Sequence, residues 1–118
     1  MSKPVGPYTP IVRAGSWLVV SGQVGIVDGR LVAGGLEAEL RQAIANLDGL
    51  LASEGASLAD VVKTTVFLKH LGTDYARMNE VYIELFGDHR PARSAVGVAE
   101  LPIGALVEVE AWAHAEAG

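Results

Sequence analysis

Leu36, Leu40, Ile44, Leu47 and Leu51 recur at helical spacing, and this stripe constrains the fold more than any other feature of the chain. An apolar stripe along one side of a helix must be covered, so the chain must also supply a surface to cover it. The spacing predicts a helix from about Leu36 to Ser53, ended by Gly55. A second stripe, Tyr75, Met78, Tyr82 and Leu85, predicts a helix from about Asp74 to Phe86, with Thr73 as cap and Gly87 as stop.

The remaining apolar runs have the period of strands. Ile11-Val12-Arg13 and Trp17 to Val24 flank the turn Ala14-Gly15-Ser16. In the second run Leu18, Val20, Gly22 and Val24 share one face, and Trp17, Val19, Ser21 and Gln23 share the other. Asp28-Gly29 is a turn signal, and Ser57 with Asp60 has the pattern of a capping box. Val61 to Lys69 alternates Val62, Thr64, Val66 and Leu68 against Lys63, Thr65 and Lys69. Two further runs flank Leu101-Pro102-Ile103-Gly104 and read as a closing hairpin.

The order is ββαβαββ, an α+β pattern over a single domain, residues 1–118. The simplest architecture is one mixed sheet with both helices on one face. By alternation the other face carries Val19, Ser21, Thr65, Phe67, Ala95 and Trp112. That face is too apolar for open solvent and too polar for a private core, which suits contact with another subunit.

Composition narrows the chemistry. The net charge is −5, and the nine Lys and Arg residues are scattered rather than striped. This argues against nucleic acid or an anionic membrane as partner. There is no cysteine, so no disulfide, thiolate nucleophile or zinc knuckle is available. Neither a signal peptide nor a membrane-spanning run is apparent, and a cytoplasmic location is the expectation. His70, His89 and His114 belong to no metal-ligand spacing and read as surface or structural residues. The sequence has no G-x-S-x-G elbow, and Gly22-Gln23-Val24-Gly25 is not a phosphate loop. No metal or organic cofactor is indicated.

Two charged positions remain open on the residues alone. Arg93 lies among the small residues Ala95, Gly97 and Ala99, where a guanidinium has room to take a carboxylate through two parallel bonds. A surface arginine near a strand start is the plainer reading. Glu108 and Glu110, between Val107, Val109 and Ala111, read equally as a solvated strand face.

A wider pattern bears on both. Gly6-Pro7-Tyr8, Val20-Ser21-Gly22-Gln23, Lys63-Thr64-Thr65-Val66-Phe67-Leu68, Asn79-Glu80-Val81-Tyr82, Arg90-Pro91-Ala92-Arg93-Ser94 and Val107-Glu108-Val109-Glu110-Ala111 stand in order. Together they resemble the RidA/YjgF family of reactive-intermediate imine deaminases, over almost the whole chain. The resemblance implies a chorismate-mutase-like fold with a mixed six-stranded sheet, a homotrimeric barrel, and sites in the clefts between subunits. It assigns Arg93 to the substrate carboxylate and Glu108 to the reacting water. It also assigns Tyr8, Ser21, Gly22, Asn79 and the main chain at Ala95 to substrate binding. Many members have cysteine at the position of Ala95 and glutamate at that of Gly97; the first difference removes any thiol reactivity, and the second either alters the pocket or marks a subgroup.

The implied reaction is cofactor-free hydrolysis of small 2-imino acids, formed from enamines such as 2-aminoacrylate, to 2-oxo acids and ammonia. A trimer that binds small carboxylates without chemistry is the rival reading, and Glu108 separates the two. An endoribonuclease or translation inhibitor is a third, disfavoured by the acidic balance.

Overall fold

The structure is a computed structural model and describes residues 6–117. The strands are β1 (Ile11–Ala14), β2 (Trp17–Gln23), β3 (Ile26–Val27), β4 (Arg30–Leu31), β5 (Val61–Leu68), β6 (Ala92–Gly97) and β7 (Val107–His114). The helices are α1 (Gly35–Ala52) and α2 (Leu71–Phe86). Short 3-10 turns occupy Leu58–Asp60 and Pro102–Gly104.

The main sheet has five strands in the order β1-β2-β7-β5-β6, not the six that were expected. The two remaining strands, β3 and β4, pair only with each other. Asp28 and Gly29 connect them with φ of 53° and 78°, the two positive values that a tight two-residue hairpin turn requires. The expected closing hairpin is also absent. β6 pairs in parallel with β5, while β7 inserts between β2 and β5, antiparallel to both. A parallel pair needs a crossover, and α2 supplies it.

Both helices cover one face of the sheet, α1 on β2 and β7, α2 on β5 and β6. Leu18, Leu40, Leu47, Leu51, Leu68 and Val107 are fully buried between the layers. Truncating one of them, as in Leu47→Ala, is a change that costs about 2–5 kcal/mol. α1 ends as its sequence implies: Gly55 takes φ of 77°, and the Ala56 N–H donates to the Leu51 carbonyl at 2.9 Å. The capping box of Ser57 and Asp60 is formed.

α2 begins at Leu71, three residues before the expected start. Thr73 lies inside its first turn and donates to the His70 carbonyl, so it is not the cap. The buried stripe of α2 is Met78, Val81, Tyr82 and Phe86, leaving Tyr75 at the exposed margin. The Tyr82 hydroxyl bonds the buried Thr64 hydroxyl at 2.7 Å, which fixes α2 over β5. On the outer side, Arg77 pairs with Glu37 and Glu80, and Arg41 pairs with Glu37 and Glu84, linking the two helices.

Two bulges shift the alternation. In β5 the register against β7 slips between Val61 and Lys63, so Val61 is buried and Val62 is exposed, the reverse of the expected assignment. In β2 the slip falls between Val20 and Gln23, so that Gln23 stands opposite Val109, a core-face residue. The face away from the helices presents Val12, Trp17, Val62, Val96 and Trp112, each at least 38% exposed. Ala95 is not on that face. Its partner in β5 is Val66, which is buried, and Ala95 packs against the core.

Candidate active site

Arg93 extends from the edge strand β6 beneath α2. Its partner across the sheet is Thr64, whose hydroxyl meets Tyr82 of α2, so Arg93 is on the helix-covered face. Asn79 accepts from Arg93 Nη1 through Oδ1 at 2.7 Å, and Met78 Sδ lies 3.6 Å from the same nitrogen. The guanidinium carbon stands 5.0 Å from the centroid of the Tyr82 ring and 5.7 Å from that of Tyr75. A planar cation held this way has lost much of its rotamer freedom before any ligand arrives. Beside it opens a depression of about 500 Å³ lined by Leu71, Gly72, Tyr75, Arg93 and Ala95. Gly97 lets Leu71 close in at the wall: a Cβ on Gly97 would lie 3.1 Å from Leu71 Cβ.

Glu108 projects from β7 on the other face. It stands opposite Phe67 of β5, between the core-facing Val107 and Val109. On its β2 side is Gly22, where a Cβ would come within 2.7 Å of the Glu108 carboxyl carbon. The bulge in β2 therefore brings Gly22 against the carboxylate, although strict alternation puts it on the core face. Burial, and then the charge of Glu110, push the Glu108 carboxyl above its ordinary pKa.

Ser21 adjoins Gly22. It ties down the segment leading into β1, donating Oγ–H to the Thr9 carbonyl at 2.7 Å, while its N–H donates to the Pro10 carbonyl at 2.9 Å. Tyr8 precedes this tie and is 41% exposed. Gly6 lies so close to the Tyr8 ring that a Cβ would stand 3.1 Å from it.

The residues singled out in the sequence thus fall into two groups. Arg93, Asn79 and Ala95 lie together at the β6–α2 edge. Ser21, Gly22 and Glu108 lie together on β2 and β7, on the opposite face of the sheet, and the Tyr8 segment is bonded to Ser21. β5 separates β7 from β6, a backbone distance of about 10 Å at ordinary strand spacing. Tyr75 was not singled out for the site. It reads in sequence as part of the apolar stripe of α2, and its spacing of four from Asn79 is the signal that places both over Arg93.

The histidines take other work. His89 Nε2 bonds the Val61 carbonyl at 2.7 Å, and the His114 ring packs edge-on against Trp17 at 4.9 Å. Among the described residues, no three His, Asp or Glu side chains converge on a point where a metal ion would be held. None of the described helices is long and apolar enough to cross a membrane.

Known proteins resemble this chain over nearly its full length. The sequence model described as Endoribonuclease L-PSP matches residues 1–115. A RutC family protein of Pyrococcus horikoshii is 45% identical over 116 residues, covering 97% of this chain and 91% of the relative. A 2-iminobutanoate/2-iminopropanoate deaminase of Mus musculus is 42% identical over 111 residues, covering 92% of this chain and 82% of the relative. The crystal structure of RidA from an Antarctic Psychrobacter bacterium superposes with a TM-score of 0.91 at 37% identity, covering 95% of this chain and 91% of that one. The chain belongs to the RidA/YjgF family.

Proposed function

We propose that this chain is a cofactor-free hydrolase of small 2-imino acids, active as a homotrimer of chorismate-mutase type with sites between subunits. The observation that carries the reading is the separation of Arg93 from Glu108 on opposite faces of one sheet. A carboxylate-binding cation and a raised-pKa carboxylate serve one small substrate only if each comes from a different copy. The exposed face bearing Trp17, Val62, Val96 and Trp112 gives such a copy a surface to cover. In a ring, every heterologous contact joins the Arg93 half of one subunit to the Glu108 half of the next.

The chemistry asks little of the protein. The carbon of a 2-imino acid is already electrophilic. Arg93 fixes the substrate carboxylate, which sets the position of that carbon. Glu108 takes a proton from water as the oxygen adds to carbon and passes it to nitrogen, giving a neutral carbinolamine. It then carries the carbinolamine hydroxyl proton to nitrogen as the C–N bond breaks and the C=O forms, and ammonia and the 2-oxo acid leave. A carboxylate whose pKa is raised is a better base than an ordinary one and a ready proton donor in the second half. The main chain at Ala95 meets the substrate nitrogen, and Tyr8 walls the cleft. The net charge of −5 and the pairing of Arg41 and Arg77 with glutamates weigh against nucleic acid as a partner.

The test is direct. An amino-acid oxidase generates 2-iminobutanoate in situ, and its disappearance is followed with and without the protein. Faster loss with added protein, insensitive to exhaustive chelation, is expected. A rate equal to the protein-free control contradicts the reading and leaves a carboxylate-binding trimer.

A further inference from the structure

The geometry assigns to Tyr75 the third donor of the carboxylate clamp, a role that rests on the proposed imine hydrolysis and extends it. Arg93 Nη2 lies 3.2 Å from the Tyr75 hydroxyl oxygen. A guanidinium has only donors, so the phenol oxygen must accept in this contact. The Tyr75 proton is therefore directed away from Arg93 and still has to find an acceptor.

A count of the guanidinium N–H groups shows where such an acceptor would sit. Nη1 is directed to Asn79 Oδ1 and Met78 Sδ, and one Nη2–H is directed to Tyr75. Nε–H and the second Nη2–H have no partner among the described residues. Nε and Nη2 adjoin on one side of the guanidinium, and each keeps an N–H for a carboxylate that approaches on that side. An anion seated there is next to the Tyr75 hydroxyl, since Tyr75 and that side share Nη2. Tyr75 is 43% exposed, and it lines the open depression with Arg93 and Ala95, so the described residues leave it open to a ligand. The phenol then donates to a carboxylate oxygen while accepting from the cation that holds it. Polarised by Nη2–H, it is a stronger donor than an isolated phenol.

The rest of the depression bears on specificity. Leu71, Gly72 and Ala95 present apolar and small surface. The polar groups beside Arg93 are thus gathered at the carboxylate end, and the substrate's own side chain meets no polar partner in this half. Small 2-imino and 2-oxo monocarboxylates with apolar side chains are the class that fits.

The test uses Tyr75→Phe, which keeps the ring, its packing and its cation–π contact and removes only the hydroxyl. Binding of 2-oxobutanoate is measured by calorimetry, and hydrolysis of oxidase-generated 2-iminobutanoate is followed over a range of substrate concentrations. One charge-assisted hydrogen bond predicts about a ten- to hundredfold rise in Kd and in KM, with kcat and melting temperature close to wild type. A general disturbance of Arg93 would lower kcat as well, and that result overturns the assignment. Wild-type Kd and KM in Tyr75→Phe, with the wild type active, also overturn it while leaving the function intact. A wild type that neither binds 2-oxobutanoate nor hydrolyses the imine overturns both.

Discussion

Gly22 leaves the space that the Glu108 carboxyl occupies. A Cβ at position 22 would stand 2.7 Å from Glu108 Cδ and 2.8 Å from Oε1. The contact falls at the end of a flexible side chain, so Gly22→Ala forces the carboxyl aside and leaves the backbone where it is. The expected result is a fold of near wild-type melting temperature with kcat lowered about tenfold or more, since small misplacement of a base is costly to rate. Thermal melting and imine hydrolysis on the same preparation check it.

Glu108 and Glu110 point from β7 to the same face, and they differ in surroundings. Glu108 lies between Gly22 and Phe67, whereas Glu110 stands opposite Thr65. Glu108→Gln keeps size and hydrogen bonding but removes the base. It should lower kcat by about 10²–10⁴-fold and leave 2-oxobutanoate binding nearly unchanged. Glu110→Gln should cost much less.

The pair also predicts a pH dependence. Glu108 acts as a base when ionised, so kcat/KM should rise with pH through its pKa, which burial first and Glu110 second hold above the ordinary value. Glu110→Gln removes the second cause and not the first. The rising limb of the profile should move to lower pH in that variant and remain above the ordinary carboxylate range. A limb that stays in place, or moves up, contradicts the assignment of Glu108.

At the other half-site, Asn79 Oδ1 holds Arg93 Nη1 at 2.7 Å without adding charge. Asn79→Asp keeps the shape and places an internal carboxylate on the guanidinium, in competition with the substrate. Arg93→Lys keeps the charge and loses the planar fork. Each should lower kcat/KM about ten- to hundredfold, and each is read from the concentration dependence of imine hydrolysis.

How far the sequence carries can be judged at particular residues. The stripe from Leu36 to Leu51 and the alternation of β7 place the core correctly, because burial there follows an unbroken period. Period fails at the bulges. One extra residue reverses the phase, which exposes Val62 and turns Gly22 toward Glu108; Gly22 is itself a bulge signal in β2, whereas β5 carries no residue that marks its slip. Strand pairing is also hidden. The Leu101-Pro102-Ile103-Gly104 turn suggests a hairpin, yet Leu106 N–H is held by the buried Glu39 of α1 at 2.8 Å, and β7 enters the sheet two strands away from β6. That contact joins positions 67 residues apart, and no local pattern reveals it. The resemblance supplies the residues proposed for the site, but not their division between two faces, because a motif fixes identity and not the side of a sheet.

Whether Arg93 of one copy and Glu108 of the next form a single site is decided by subunit mixing. Arg93→Ala and Glu108→Gln are each prepared alone, then unfolded, mixed in equal amounts and refolded together, with each variant refolded separately as control. In a mixed ring some contacts join an intact Arg93 half to an intact Glu108 half. Random assembly predicts recovery of about a quarter of the wild-type rate, far above either variant alone. A mixture no more active than the two variants measured separately would place Arg93 and Glu108 in the same copy, or in no common site, and contradict the account.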